Sequence, residues 1–114
     1  DSILAQYFGV DPVTVGNTHA SVSSGSTVLD SSHPIFDGVS SPFSISYTNA
    51  QQFTTSNYLY SGASVISGNS GEHQTITYQG ASWRGVWFTG MVDYQNNSPN
   101  TLQLLYNALQ WAAQ

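Results

Sequence analysis

The chain contains no Cys and no Lys, and Arg84 is its only Lys or Arg. Without Cys there is neither a disulfide framework nor a thiolate metal site. With one Arg and a net charge of −5, the counterion release that drives nucleic-acid binding is missing, which excludes DNA and RNA as partners. An anionic membrane surface is excluded on the same ground. No apolar run approaches the ~20 residues that span a bilayer.

Charged residues make up 6% of the chain, against about 25% in an ordinary soluble domain. The surface must therefore consist of Ser, Thr, Asn, Gln and Gly. Hydroxyls and amides do not titrate, so such a surface keeps its hydration when pH changes. That suits an extracellular, acidic or harsh setting, and one Arg offers trypsin-like proteases almost nothing to cut. The first residue is Asp1 rather than Met, which suggests a processed product or a piece of a longer precursor. Asn96-Asn97-Ser98 is a formal glycosylation sequon, followed by Pro99.

What is present is enough for a core. A length of 114 residues with 39% apolar content predicts a single domain over residues 1–114. Ile3, Leu4, Tyr7 and Phe8 have helical spacing and precede Gly9, which predicts a short N-terminal helix with a glycine C-cap. The alternation of Phe43, Ile45 and Tyr47 with Ser44, Ser46 and Thr48 predicts a half-buried strand. ASVIS at 63–67 and QTITY at 74–78 predict two more, joined as a hairpin through a Gly-rich turn. Ser98 can cap and Pro99 can begin a helix of about fifteen residues, with Leu102, Leu105, Leu109 and Ala112 on its inward face and Leu104, Tyr106 and Trp111 widening it.

WRGVWFTGMVDY, residues 83–94, places the one Arg among aromatics. Val86, Trp87 and Phe88 run without alternation, which predicts an inner strand covered on both faces. Arg84 and Trp83 stand at its entrance, where Arg84 can snorkel, stack on an indole, or pair with Asp93 or Glu72. The fold expected is α/β, a small mixed sheet of about five to six strands with a C-terminal amphipathic helix and a short N-terminal helix.

HPIFDGV at 33–39, the strand pair at 63–78, GASWRGVWFTG and the terminal LLYNALQWAA together resemble the C-terminal half of class I glutamine amidotransferase-like domains, in particular their trehalose-utilisation-like relatives. Leu104, Leu105, Asn107, Ala108 and Trp111 match the family's final helix, and Arg84, Gly85 and Val86 match a strand with Arg and Gly in swapped order. The resemblance spans roughly two-thirds of the chain, rests on packing motifs, and implies half of a flavodoxin-like sandwich rather than a function. Active members carry a nucleophilic Cys and a His-Pro-Glu triplet. Here there is no Cys, and His33-Pro34 is followed by Ile35, so the family's triad chemistry is absent. A sheet lacking its first strands would expose an edge that pairs with the rest of a precursor or with another copy.

Other chemistry finds little support. His19, His33 and His73 lie near Asp30, Asp37 and Glu72 in sequence, but no pair has zinc-site spacing. They read as loop and capping residues. Asp30 with Asp37, or Glu72 with Asp93, could be paired as glycosidase carboxylates only by the loosest spacing argument. SGNSG at 67–71 imitates a nucleophile elbow on what reads as a hairpin turn. Neither a cofactor nor a metal is expected.

The expectation is a secreted, non-catalytic module acting by contact. It would self-assemble into an oligomer or filament, or dock as a processed part of a secreted hydrolase such as a protease. The alternative is a polysaccharide-binding module whose exposed rings stack on sugars. The candidate ligand residues are Phe53, Tyr58 and Tyr60 in QQFTTSNYLY, together with Trp83 and Arg84.

Overall fold

A computed structural model describes residues 7–9, 19–22, 26–43, 47–51, 53–54, 59–69, 72–88 and 98–114. The strands are β1 (His19–Val22), β2 (Thr27–Val28), β3 (Tyr47–Gln51), β4 (Phe53–Thr54), β5 (Ala63–Asn69), β6 (Glu72–Gln79) and β7 (Arg84–Phe88), and the helix α1 is Pro99–Ala112. β1 and β3 form a two-stranded ribbon of their own. The main sheet runs β2, β5, β6, and then β4 and β7, which both pair with β6. β4 lies against Glu72 and His73, whereas β7 lies against Thr75 to Gln79. The sheet is thus four positions wide, with two short strands in the last one.

Every pairing among the described strands is antiparallel. The expected mixed sheet is therefore an antiparallel one with a helix on it. The hairpin expected from the Gly-rich turn is present, since Asn69 pairs with Glu72 and Ala63 with Tyr78. A register shift between Val65 and Ser67 leaves Ile66 without a partner on β6; its carbonyl accepts from the Leu29 amide on the other side and its side chain lies in the main core.

Among the described residues β7 stands at a border of the sheet rather than in its interior, where its composition predicts it. It pairs, among them, with β6 alone. Its apolar run has a different cause. Val86 and Phe88 pack into the core beneath α1, while Trp87 packs with Ile76 on the opposite face and meets Phe8 edge to face at 5.0 Å.

The main core lies between the sheet and α1. Ile35, Phe36, Phe43, Ile66, Leu104, Ala108 and Trp111 are buried there. Ser98 caps α1 by accepting from the Thr101 amide at 3.2 Å, and Pro99 begins the helix. The rotation of the helix differs from expectation. Its buried residues are Thr101, Leu104, Ala108 and Trp111, whereas Leu102 is 55% and Leu109 73% exposed. A helix with apolar residues on two sides gives no signal in its sequence about which side the sheet takes.

The segment HPIFDG forms a single 3-10 turn at Pro34–Phe36 with His33 as its cap. α1 clamps this turn from above. Asn107 donates from Nδ2 to the carbonyls of Ile35 at 3.0 Å and Asp37 at 2.8 Å. Asn100, seven residues earlier, accepts from the Ser40 amide and donates back to its carbonyl. Beneath the clamp a chain of buried hydroxyls crosses the sheet: Ser26 donates to Ser67 at 2.8 Å, and Ser67 to Thr75 at 2.6 Å.

The segment expected to form an N-terminal helix lies outside the described residues up to Gln6. Tyr7 is helical and Gly9 has φ +72°, the left-handed conformation a glycine C-cap supplies. Residues 44–46 of the expected FSISYT strand are outside them as well, and β3 takes in Tyr47 and Thr48.

Candidate functional site

Tyr58 and Asn96 lie outside the described residues, as does Asp93. Phe53 begins β4, its backbone paired with His73. Tyr60 is half-exposed in the turn before β5, its amide donating to the Gly9 carbonyl at 2.7 Å. Among the described residues, Trp83 and Arg84 share a cleft.

That cleft lies where the β6–β7 turn meets the C-terminal end of α1. It encloses about 460 Å³ and is lined by Gln79, Gly80, Ser82, Trp83, Arg84 and Gln114, with three alanines completing it. The volume falls within the ~300–1,000 Å³ of small-ligand clefts. The turn is closed by the Gly80 amide donating to the Trp83 carbonyl at 3.0 Å, which brings Gln79 and Arg84 opposite each other as a cross-strand pair.

Arg84 is held from two sides. Its guanidinium lies over the Trp111 ring, 5.3 Å from the centroid, and donates to Gln114 Oε1 at 3.0 Å. Such a cation over an indole is worth about 0.5–1 kcal/mol where partly solvated. A cation beside the last turn of a helix also suits its dipole. Among the described residues no acid lines the cleft, and Arg84 is the one Lys, Arg, Asp or Glu in its lining.

Trp83 is 40% exposed, but its ring is wedged. Tyr78 lies 4.7 Å away at a tilt, and Phe8 meets it edge-on at 5.8 Å. A Cβ on Gly85 would stand 2.6 Å from the Trp83 ring and 2.7 Å from Phe8. Gly85 thus makes room for this cluster, a role that its place beside an aromatic-rich strand hints at in sequence.

Two further sequence candidates, His33 and Asp30, have structural work. His33 Nδ1 accepts from the Ile35 amide at 3.3 Å, and its ring lies 5.0 Å from that of Trp111. Burial pushes its pKa below the usual imidazole range, and the charge of Asp30 only partly opposes this. Asp30 accepts from the Ser32 hydroxyl and amide, which hold its carboxyl below the usual carboxylate range. Among the described residues no cluster of His and carboxylates could hold a metal.

No protein-family model matches the chain, and neither the curated proteins nor the solved structures contain a match for it. What the geometry of the described residues defines is a helix-backed antiparallel sheet with a small polar cleft at the β6–β7 turn. The residues of HPIFDGV and LLYNALQWAA that suggested an amidotransferase-like half are each other's packing partners: His33 with Trp111, and Ile35 and Asp37 with Asn107.

Proposed function

We propose that the chain is a non-catalytic extracellular interaction module that works by contact with a second copy or with the remainder of a longer protein. The observation that carries this reading is the outer face of α1. Leu102, Tyr106 and Leu109 are 55%, 56% and 73% exposed. Their spacing of four and three residues sets them in one stripe. No charged residue occurs anywhere from Pro99 to Ala112, so two such faces can meet without burying charge. Exposed apolar surface concentrated in this way is characteristic of contact sites.

The borders of the sheet favour the helix over β-edge pairing. Among the described residues one border is β2, two residues long, and the other is divided between β4 and β7. A ladder extended from either would be short. The low charge supports an extracellular setting and close approach of copies. The amidotransferase likeness adds nothing to function and, with an antiparallel sheet, little to fold.

Light scattering across a concentration series, at neutral and acidic pH, tests the reading. Mass that grows with concentration and persists in high salt supports association through apolar surface. A monomer throughout overturns self-association, and failure of the longer protein to protect the α1 face from exchange overturns docking.

A further inference from the structure

We propose that the cleft between the β6–β7 turn and the end of α1 binds a neutral saccharide, with Trp83 as the ring platform and Arg84, Gln79 and Gln114 as partners for the sugar hydroxyls. This site is separate from the outer face of α1. The argument begins with rigidity. Trp83 is braced by Tyr78, Phe8 and the Gly85 backbone, yet 40% of it stays open. A ring already fixed loses little entropy when a ligand covers it.

Arg84 is similarly pre-positioned by Trp111 and Gln114. Gln114 takes one of the guanidinium N–H groups, and the planar fork has others to offer. The exposed side chains of Gln79 and Gln114 each bring a donor and an acceptor. Adjacent hydroxyls on a sugar ring need this mixture of donors and acceptors beside an apolar surface.

An anionic ligand fits less well. The guanidinium charge already faces the Trp111 π-cloud and the Gln114 carbonyl oxygen. The cleft also borders the carbonyl end of α1, whose partial negative charge disfavours anions, and the chain carries −5 overall.

The lone Arg provides a clean reporter, because the chain has a single arginine Nε–H signal and three indole signals. The experiment titrates the isotopically labelled full chain with cellohexaose, laminarihexaose, xylohexaose and chitohexaose, and separately with tri-galacturonate. The expected result is that one neutral hexasaccharide shifts both the Arg84 Nε–H and the Trp83 indole, the latter assigned with Trp83→Ala. Trp83→Ala and Gln79→Ala should then weaken binding, the former about tenfold or more, as loss of a hot-spot ring does. Gln79 is exposed, so Gln79→Ala retains the fold and keeps the test valid should Trp83→Ala unfold. Shifts with tri-galacturonate alone overturn the proposal in favour of an anion site. No shift with any probe, or a shift that Gln79→Ala and Trp83→Ala both leave unchanged in affinity, overturns it as well.

Discussion

Asn107 reaches down from α1 and gives an amide hydrogen to the carbonyl of Asp37, 2.8 Å away, seventy positions earlier in the chain. With the companion bond to Ile35 this satisfies two backbone acceptors of a turn that has few of its own. Asn107→Ala strips both. The Ile35 bond is part-buried and the Asp37 bond exposed, so water can replace the second donor and the loss should be about 1 kcal/mol, the low end for an unpaired acceptor. The expected outcome is a lower urea midpoint with an unchanged slope, read by circular dichroism.

Gly85→Ala should be more damaging than its size suggests. The added methyl would meet two rigid rings at 2.6 and 2.7 Å, and overpacking of this kind costs about 1–3 kcal/mol. Thermal unfolding should show the loss, and tryptophan emission should change as Trp83 is displaced. An unaltered spectrum with full stability would show that the cluster is loose.

The buried hydroxyl chain makes a sharper test of the sheet. Ser67→Ala removes the acceptor of Ser26 and the donor to Thr75, all three groups being shielded from water. Leaving Ser26 unpaired should cost about 1–3 kcal/mol. The triple replacement Ser26→Ala, Ser67→Ala, Thr75→Val should recover part of that loss, since removing both partners of a bond is cheaper than removing one. Chemical denaturation of the single and triple variants measures the difference.

For pH the sign follows from His33. Its folded pKa is lowered by burial, so on acidification the unfolded chain takes up this proton first. The stabilisation held by neutral His33 is complete above about pH 6.5 and is lost as pH falls through the imidazole range. Protonation of Nδ1 also removes the acceptor for the Ile35 amide. His33→Asn keeps a capping oxygen without the titration. Denaturation midpoints at pH 7.5 and 5 should differ more for the natural chain than for this variant. Asp30, whose pKa is also lowered, acts in the same direction further down, below the carboxylate range.

On the outer helix face, Leu102→Ser and Leu109→Ser should leave stability nearly unchanged, because substitutions at exposed sites usually stay within about 0.5 kcal/mol. They should, however, reduce any concentration-dependent mass in light scattering. Destabilisation without loss of association would move the contact elsewhere.

How much of this was legible in sequence depends on whether the signal was local. The β5–β6 hairpin was readable, because a Gly-rich turn between alternating segments determines its own pairing. The start of α1 was readable from Ser98-Pro99. Its rotation was not, since Leu102 and Leu109 are as apolar as Leu104 and Ala108, and only the sheet decides between them. The apolar run in β7 pointed to an inner strand, but cover on its second face comes from Phe8 and Trp83, which no pattern within β7 reveals. Trp83 and Arg84 stand out in the sequence as an aromatic and the one cation side by side, and both line the cleft. The partners of Arg84, Trp111 and Gln114, lie far along the chain and could be found only from the packing of the helix end against the turn.

The two asparagine clamps have a consequence for how the molecule opens. Asn100 and Asn107 tie Ile35, Asp37 and Ser40 to a helix that lies far along the chain, while the β5–β6 hairpin is closed by its own short turn. The helix cannot leave the sheet without releasing the turn it holds. In native-state hydrogen exchange, the amides of Phe36 and Val39, bonded within that turn, should therefore lose protection together with those of α1 as one cooperative unit, and the hairpin amides should persist to higher denaturant.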